Sequence, residues 1–486
     1  MNSRIERFAA LAKKEDLNPE PVCIELDEFD DKLAEPLAVA KRLCDFICAQ
    51  RIKLYEENEL IGMMRMNGCP VPADIFTRTG HVKCQEALRR YYNHPQENLC
   101  TMEWQHSNAD FGKLIRLGLN GYLREINAAR RNFLGKPYNL AYLAALEMVI
   151  GGIGRRAAQL RDFCIQKAEE TEDASRKATL LRMARNCSRV PMNPAQSFEE
   201  AIQCLYFCFA FLPDSIGRPD QYLYPLYKRG VSDGTLTREH AKELIQELFI
   251  RIHGHTFHTP WADDKGAESH FVIGGYTKEH EDGFNELSDL ILESMMELPL
   301  ERPQVSLRWT KKTPREVLRK MLDCERRDRY KRIAFVNDEP RIASLMKING
   351  LPFETACEYI MVGCNEPAYQ GGISLGGNTC NIVRSLLNTL EKRRIEVLGC
   401  TTFDEFYKLY EEELFHDLEL MLEYSNRFNS LRSRDCNVLS SLFLHGCIER
   451  AESATRGGAS LARGGGVNLM GGTNVIDSLA VIRQFV

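Results

Sequence analysis

The chain is 486 residues long, 44% hydrophobic and 27% charged, the balance of a soluble globular protein with two or three domains or one large α/β domain. A formal net charge of -5 leaves no electrostatic footprint for nucleic acid, and the short basic runs "KKTPREVLRK" and "RRDRYKR" read as solvated helix faces. No apolar leader core opens the sequence and no run is as long as a membrane span, so the expectation is a cytoplasmic protein with no membrane partner, its 17 scattered cysteines free thiols.

Residues 1–200 read as mainly helical. "EPLAVAKRLCDFICAQRIKLYEEN", "DFGKLIRLGLNGYLREINAARR" and "AYLAALEMVIGGIGRRAAQLRDFCIQKAEE" place apolar residues at three- and four-residue spacing. Cys44 and Cys48, like Cys204 and Cys208, stand four apart on one helix face among apolar neighbours, the pattern of a packed core. "SFEEAIQCLYFCFAFL" opens with a capping box from Ser197 to Glu200, and Thr237 is the expected cap of "TLTREHAKELIQELFIRI". From about residue 270 the texture changes. The β-type runs "HFVIGG", "QVSLRW", "RIAFVND" and "YIMVGC" alternate with helical segments such as "TPREVLRKMLDCERR", the signature of an α/β sheet covered by helices. No linker or repeat divides the chain, so residues 1–486 are expected to form one domain, helical over 1–200 and α/β over 201–486.

Common motifs are missing. There is no phosphate loop, no H-E-x-x-H, no G-x-S-x-G elbow and no C-x-x-C pair. "GGIGRR" sits in a helical context, which excludes a dinucleotide fingerprint. In "HGHTFH" the imidazoles of His253 and His255 share a face only if the piece is extended, and the stretch reads as polar lining or surface; no metal is expected.

The informative stretch is "YIMVGCNEPAYQGGISLGGN". Its apolar run puts Cys364 at or just past the end of a buried strand, where α/β sheets build their sites. Cys364 and Glu366 are two apart and in extended backbone project to the same side. A neighbouring carboxylate raises a thiol pKa, which argues against a thiolate nucleophile and suits a sulfur that stays neutral and carries a hydrogen atom. Alone, the motif is equally consistent with a core cysteine beside an incidental glutamate.

It is accompanied, however, by four further segments. "GCNEP" resembles the active-site loop of the glycyl radical enzymes, the pyruvate formate-lyase-like family, in its eliminase and decarboxylase branch. "SIGRPDQYLYPLYKRGVSDGTLTREHAKELIQELFIRI" resembles that family's Gly-Arg-x-Asp-Gln segment, "HFVIGGYTKEHEDGFNELSDLILE" its Gly-Gly strand turn, "RIAFVNDEP" the piece ahead of its cysteine loop and "GGTNVIDSLAVIRQFV" a later helix start. The resemblance implies a ten-stranded α/β barrel with surrounding helices, incomplete at the C-terminus, and the cysteine on a central loop. It implies Cys364 as thiyl site and Glu366 as acid/base, with His106, Ser215 and Asn378 as substrate-binding positions. The family's diol and polyol dehydratases often place an aspartate near the position of Asn378, and an amide there weakens the case for a polyol substrate.

The implied activity is a lyase reaction, elimination across a C–O, C–N or C–S bond or a decarboxylation, on a small polar metabolite in anaerobic metabolism. Its organic radical would reside on a backbone glycine and be installed by a radical S-adenosylmethionine activating enzyme, in a homodimer. No segment resembles the family's Arg-Val-x-Gly-Tyr radical motif. The chain is therefore expected to be a fragment, one half of a split enzyme whose second chain carries the glycyl domain, or a non-catalytic relative that binds a ligand or partner.

Overall fold

The computed structural model describes residues 1–20, 22, 35–62, 100–102, 106–212, 214–255, 269–363, 365–375, 378–434, 436–464 and 467–485. Cys364 and His258 lie outside these residues, as does the side chain of Asn378. The described strands are, in chain order, β1 (Cys100–Met102), β2 (His106–Ser107), β3 (His270–Gly274), β4 (Gln304–Trp309), β5 (Ile333–Asn337), β6 (Tyr359–Val362), β7 (Glu366–Tyr369), β8 (Ile373–Leu375), β9 (Asn378–Asn381), β10 (Ala462–Gly464) and β11 (Val467–Met470). The chain gathers into two compact units, one of Met1–Asp74, Ser107–Ile373 and Cys436–Leu461, the other of Ile75–His106, Ser374–Asp435 and Ala462–Val486.

Helices dominate the early part of the first unit, as their periodicity predicts. "GGIGRR" lies inside the helix Pro137–Glu170, and the reason for its small residues is packing. A Cβ added at Gly152 would stand 2.6 Å from Cys44 Sγ, so the helix Glu35–Ala49 approaches through a glycine notch. The Cys44 thiol donates to the Met148 carbonyl at 3.2 Å, and burial raises its pKa to about 11. The expected caps are present: Ser197 Oγ accepts from Glu200 N at 3.1 Å and Thr237 Oγ1 from His240 N at 3.1 Å. The Glu200 carboxylate, however, closes back on Gln196 N rather than on the cap residue. The helix Arg238–His255 runs through His253 and His255, and residues two apart on a helix lie on nearly opposite sides.

β3, β4 and β5 form a parallel sheet in the order 3-4-5. Its alternation divides the polar from the apolar. Phe271, Ile273, Val305 and Leu307 join the main core with the N-terminal helices. Val272 and Val336, on the other face, join a smaller core against β6 and β7. That second face also carries His270, Ser306 and Arg308, all wholly buried. A sheet with helices on one side and a hairpin on the other is the α/β layering expected.

In the second unit β9 pairs antiparallel with β1 and parallel with β11. The helices Ile382–Lys392, Phe403–Arg432 and Gly472–Phe485 share a separate core containing Leu386, Phe406, Phe428 and Val475. No described helix is long and apolar enough to cross a membrane.

Candidate active site

β6 and β7 form an antiparallel hairpin in which Val362 pairs with Glu366. β6 is buried along its whole length and ends two residues before position 364. Gly363 and Asn365 lie in the turn between the strands, where Asn365 N donates to Val362 O at 2.9 Å. Gly363 has φ 51° and Asn365 φ 81°, so the backbone reverses here. Cys364 lies outside the described residues, so its expected placement on the same side as Glu366 stays an expectation. Glu366 is half-buried, and its Oε2 is buried without a hydrogen-bond partner among the described residues. A carboxylate oxygen in that condition is available to a substrate or to a proton.

The turn rests on residues of the parallel sheet. His270 Nε2 donates to the Gly363 carbonyl at 2.7 Å. Because a carbonyl only accepts, the contact places a proton on Nε2. The Ser306 hydroxyl lies 3.1 Å from His270 Nδ1 and 3.2 Å from Asn365 Oδ1. The turn is thus held on both sides of position 364.

Ser215 meets the same histidine from the other direction. Its hydroxyl donates to the His270 carbonyl at 3.2 Å and accepts from Gly217 N at 3.1 Å. Its backbone N donates to Asn108 Oδ1 at 3.3 Å. The hydroxyl proton is therefore committed to the backbone, which leaves Ser215 an oxygen lone pair for any ligand. Asn108 is wholly buried, and its Nδ2 has no partner among the described residues.

The base of the hairpin is fixed by buried charge. Arg308 Nε and Nη2 donate to the two oxygens of Asp338 at 2.9 and 2.7 Å. Its Nη1 and Nη2 also reach the carbonyls of Tyr359 and Cys357, at 2.9 and 2.8 Å. Arg218, from "GRPDQ", donates to the Cys357 and Gly274 carbonyls at 3.1 and 3.0 Å. A Cβ on Gly275 would stand 2.5 Å from Arg308 Nε, so the paired glycines make room for the guanidinium. Burial alone would raise the Asp338 carboxyl, but the Arg308 charge and the hydrogen bonds from Arg308, Tyr276 N and Tyr359 hold it below the ordinary carboxylate range. These motif residues are structural; they clamp the hairpin to the sheet.

His106 is buried in β2, and Asn378 opens β9 in register with Met102 and Val467; both belong to the second unit. Sequence reasoning missed His270, Ser306 and Asn108. The signal was there for the first two: a lone polar residue in an apolar strand must find a partner on the face to which its parity assigns it. Among the described residues the metal-type donors that converge are Glu59, His240 and Glu243. They are already ion-paired, with His240 on Glu199 at 2.6 Å and Glu59 on Arg182 at 2.9 Å.

A family model described as pyruvate formate lyase-like matches residues 90–486. The chain is 27% identical over 437 residues to an isethionate sulfite-lyase of Desulfovibrio desulfuricans, covering 79% of this chain and 50% of the relative. It superposes with a TM-score of 0.87 and 22% identity on a structure concerned with 1,2-propanediol dehydration in Roseburia inulinivorans, over 100% of this chain and 71% of that one. A glycyl radical enzyme from Archaeoglobus fulgidus gives a TM-score of 0.81 at 20% identity, over 99% and 72%. At such identities the structures establish the fold, which is the α/β architecture of the glycyl radical enzymes. The chain spans about half the length of the curated relatives it matches.

Proposed function

The chain belongs to the pyruvate formate lyase-like family, and from that premise we propose that it carries the hydrogen-transfer site of a glycyl radical lyase. The observation that supports this most is the oxygen of Glu366, the residue that opens β7 two positions after 364, buried and unpartnered among the described residues. A glycyl radical, installed by a radical S-adenosylmethionine activating enzyme and supplied in cis or by a second chain, contributes the unpaired electron. The described residues around position 364 suit it: His270 and Ser306, which hold Gly363 and Asn365, are wholly buried.

In this reading the Cys364 sulfur, as thiyl, takes a hydrogen atom from a substrate C–H and becomes a thiol. The substrate radical then expels its leaving group, while Glu366 moves the proton that the departure requires. The product radical recovers a hydrogen atom from the Cys364 S–H, so no net oxidant is consumed. His106, Ser215 and Asn378 are proposed to line the substrate. Sulfite release by one relative and the dehydratase activity named for another motivate elimination across a C–S or C–O bond; a small polar metabolite as substrate and a cytoplasmic homodimer belong to the same proposal.

The test compares two variants of the full-length, anaerobically activated protein, offered isethionate and propane-1,2-diol. Glu366→Gln is expected to lower elimination by about 10²- to 10⁴-fold. It should leave the organic radical signal intact. Cys364→Ala is expected to abolish turnover altogether. Wild-type turnover by the alanine variant would sink the proposal.

A further inference from the structure

The least expected feature of the site is the histidine that opens β3. His270 is wholly buried, its carbonyl accepts from both Ile216 N at 2.9 Å and Ser215 Oγ at 3.2 Å, and its ring joins the hairpin turn at 2.7 Å. Ser306, two residues before Arg308 on β4, completes the link to Asn365. The turn these residues hold is costly. A non-glycine residue at φ 81° is strained by about 1 kcal/mol or more and persists only when its surroundings over-determine it. Here the surroundings are the two sheet residues, one gripping the main-chain oxygen of Gly363 and the other facing the side chain of Asn365.

We propose that His270, acting with Ser306, is the positioning residue of the reactive turn: His270 holds the Gly363 carbonyl before position 364 and Ser306 the Asn365 side chain after it, which together set the path along which the residue between them meets its reaction partner. This deepens the hydrogen-transfer reading and rests on it for its catalytic consequence. Hydrogen-atom transfer needs near-contact geometry, and a misplacement of about 1 Å costs on the order of 10²-fold in rate. A histidine serves better than a flexible donor because its ring is rigid and its proton is assigned to Nε2 by the carbonyl it meets. The chemistry at the turn would pass through no atom of His270.

The experiment uses the full-length protein and three variants, His270→Leu, His270→Gln and Ser306→Ala. Iodoacetamide labelling of Cys364 is followed by peptide mass spectrometry, with the buried core residue Cys204 as internal control of folding. His270→Leu is expected to speed Cys364 labelling by about tenfold, the equivalent of one lost buried hydrogen bond. Cys204 should stay protected. Glutamine keeps an N–H that can reach the Gly363 carbonyl and should return labelling most of the way to wild type, with Ser306→Ala in between. In the activated enzyme the leucine variant should lose kcat on the order of 10²-fold at nearly unchanged KM. Glutamine should rescue much of it. Unchanged Cys364 labelling in His270→Leu overturns the proposal, as does equal damage from leucine and glutamine with Cys204 exposed in both. Labelling requires no radical, so the positioning role stands or falls separately from the lyase reading.

Discussion

Asp338 shows how much one buried residue decides. It and Arg308 are both inaccessible to solvent and joined at 2.7 Å, and the pair also holds Tyr359 O and Tyr276 N. Removing one partner leaves a buried charge uncompensated, so Asp338→Asn should cost about 3–5 kcal/mol in urea unfolding at neutral pH. The pH dependence stems from the lowered carboxyl. A group depressed in the folded state contributes its stabilisation above its unfolded value of about 4 and loses it as pH falls through the folded value. Wild type should therefore lose more stability than Asp338→Asn on going from neutral pH to below pH 4. Parallel loss in both would contradict the assignment. None of this was legible in "RIAFVNDEP", because the pair spans thirty residues and exists only once β4 and β5 are in register. His270 and Ser306 hid differently, as lone polar letters inside strands correctly read as buried.

At the scale of elements, the hairpin and the segment leading out of it depend on a single glycine. Gly371 has φ 72°, its carbonyl accepts from His445 N at 2.8 Å, and an added Cβ would overlap the His445 ring. That ring stands 2.9 Å from Asp110, whose carboxylate caps the helix Phe111–Arg130 through Lys113 N at 2.8 Å. Gly371→Ala should destabilise the protein by about 2–4 kcal/mol. Adding His445→Ala should recover part of that loss, since the overlap is relieved while the backbone strain remains. Strict additivity of the two substitutions would contradict the contact. Element type was readable here. Period-two alternation in "QVSLRW" and three- and four-residue spacing in the helices leave few alternatives, and Ser197 and Thr237 cap where their chemistry puts them. The turn was less readable: "GCNEP" looks like the end of a strand, and only the positive φ at Asn365 shows that the chain reverses.

For the whole molecule, the order of five segments carried more than any one of them. Composition could not have suggested this family; "GRPDQ", "HFVIGG", "NDE" and "GCNEP" in sequence did, and in the structure the first three support the hairpin that presents the fourth. The division into two units was not legible, because each is assembled from three separated stretches with no linker between them. Their cores are distinct, so a cavity in one should register there first. Phe428→Ala should cost about 3–5 kcal/mol. By hydrogen exchange it should deprotect the helices Ile382–Lys392 and Phe403–Arg432 while β3, β4 and β5 keep their protection. Uniform loss across both units would contradict two separate cores.

Cys364 is proposed to exchange a hydrogen atom with a glycyl radical, and one measurement addresses this exchange without a known substrate. A thiol S–H equilibrates with solvent, so each return of a hydrogen atom from Cys364 in D2O delivers deuterium to the glycine. Electron paramagnetic resonance of the activated full-length protein in D2O should show the glycyl α-hydrogen splitting collapse in wild type and persist in Cys364→Ala. Equal collapse in the two proteins, or a splitting that persists in both, would contradict the account.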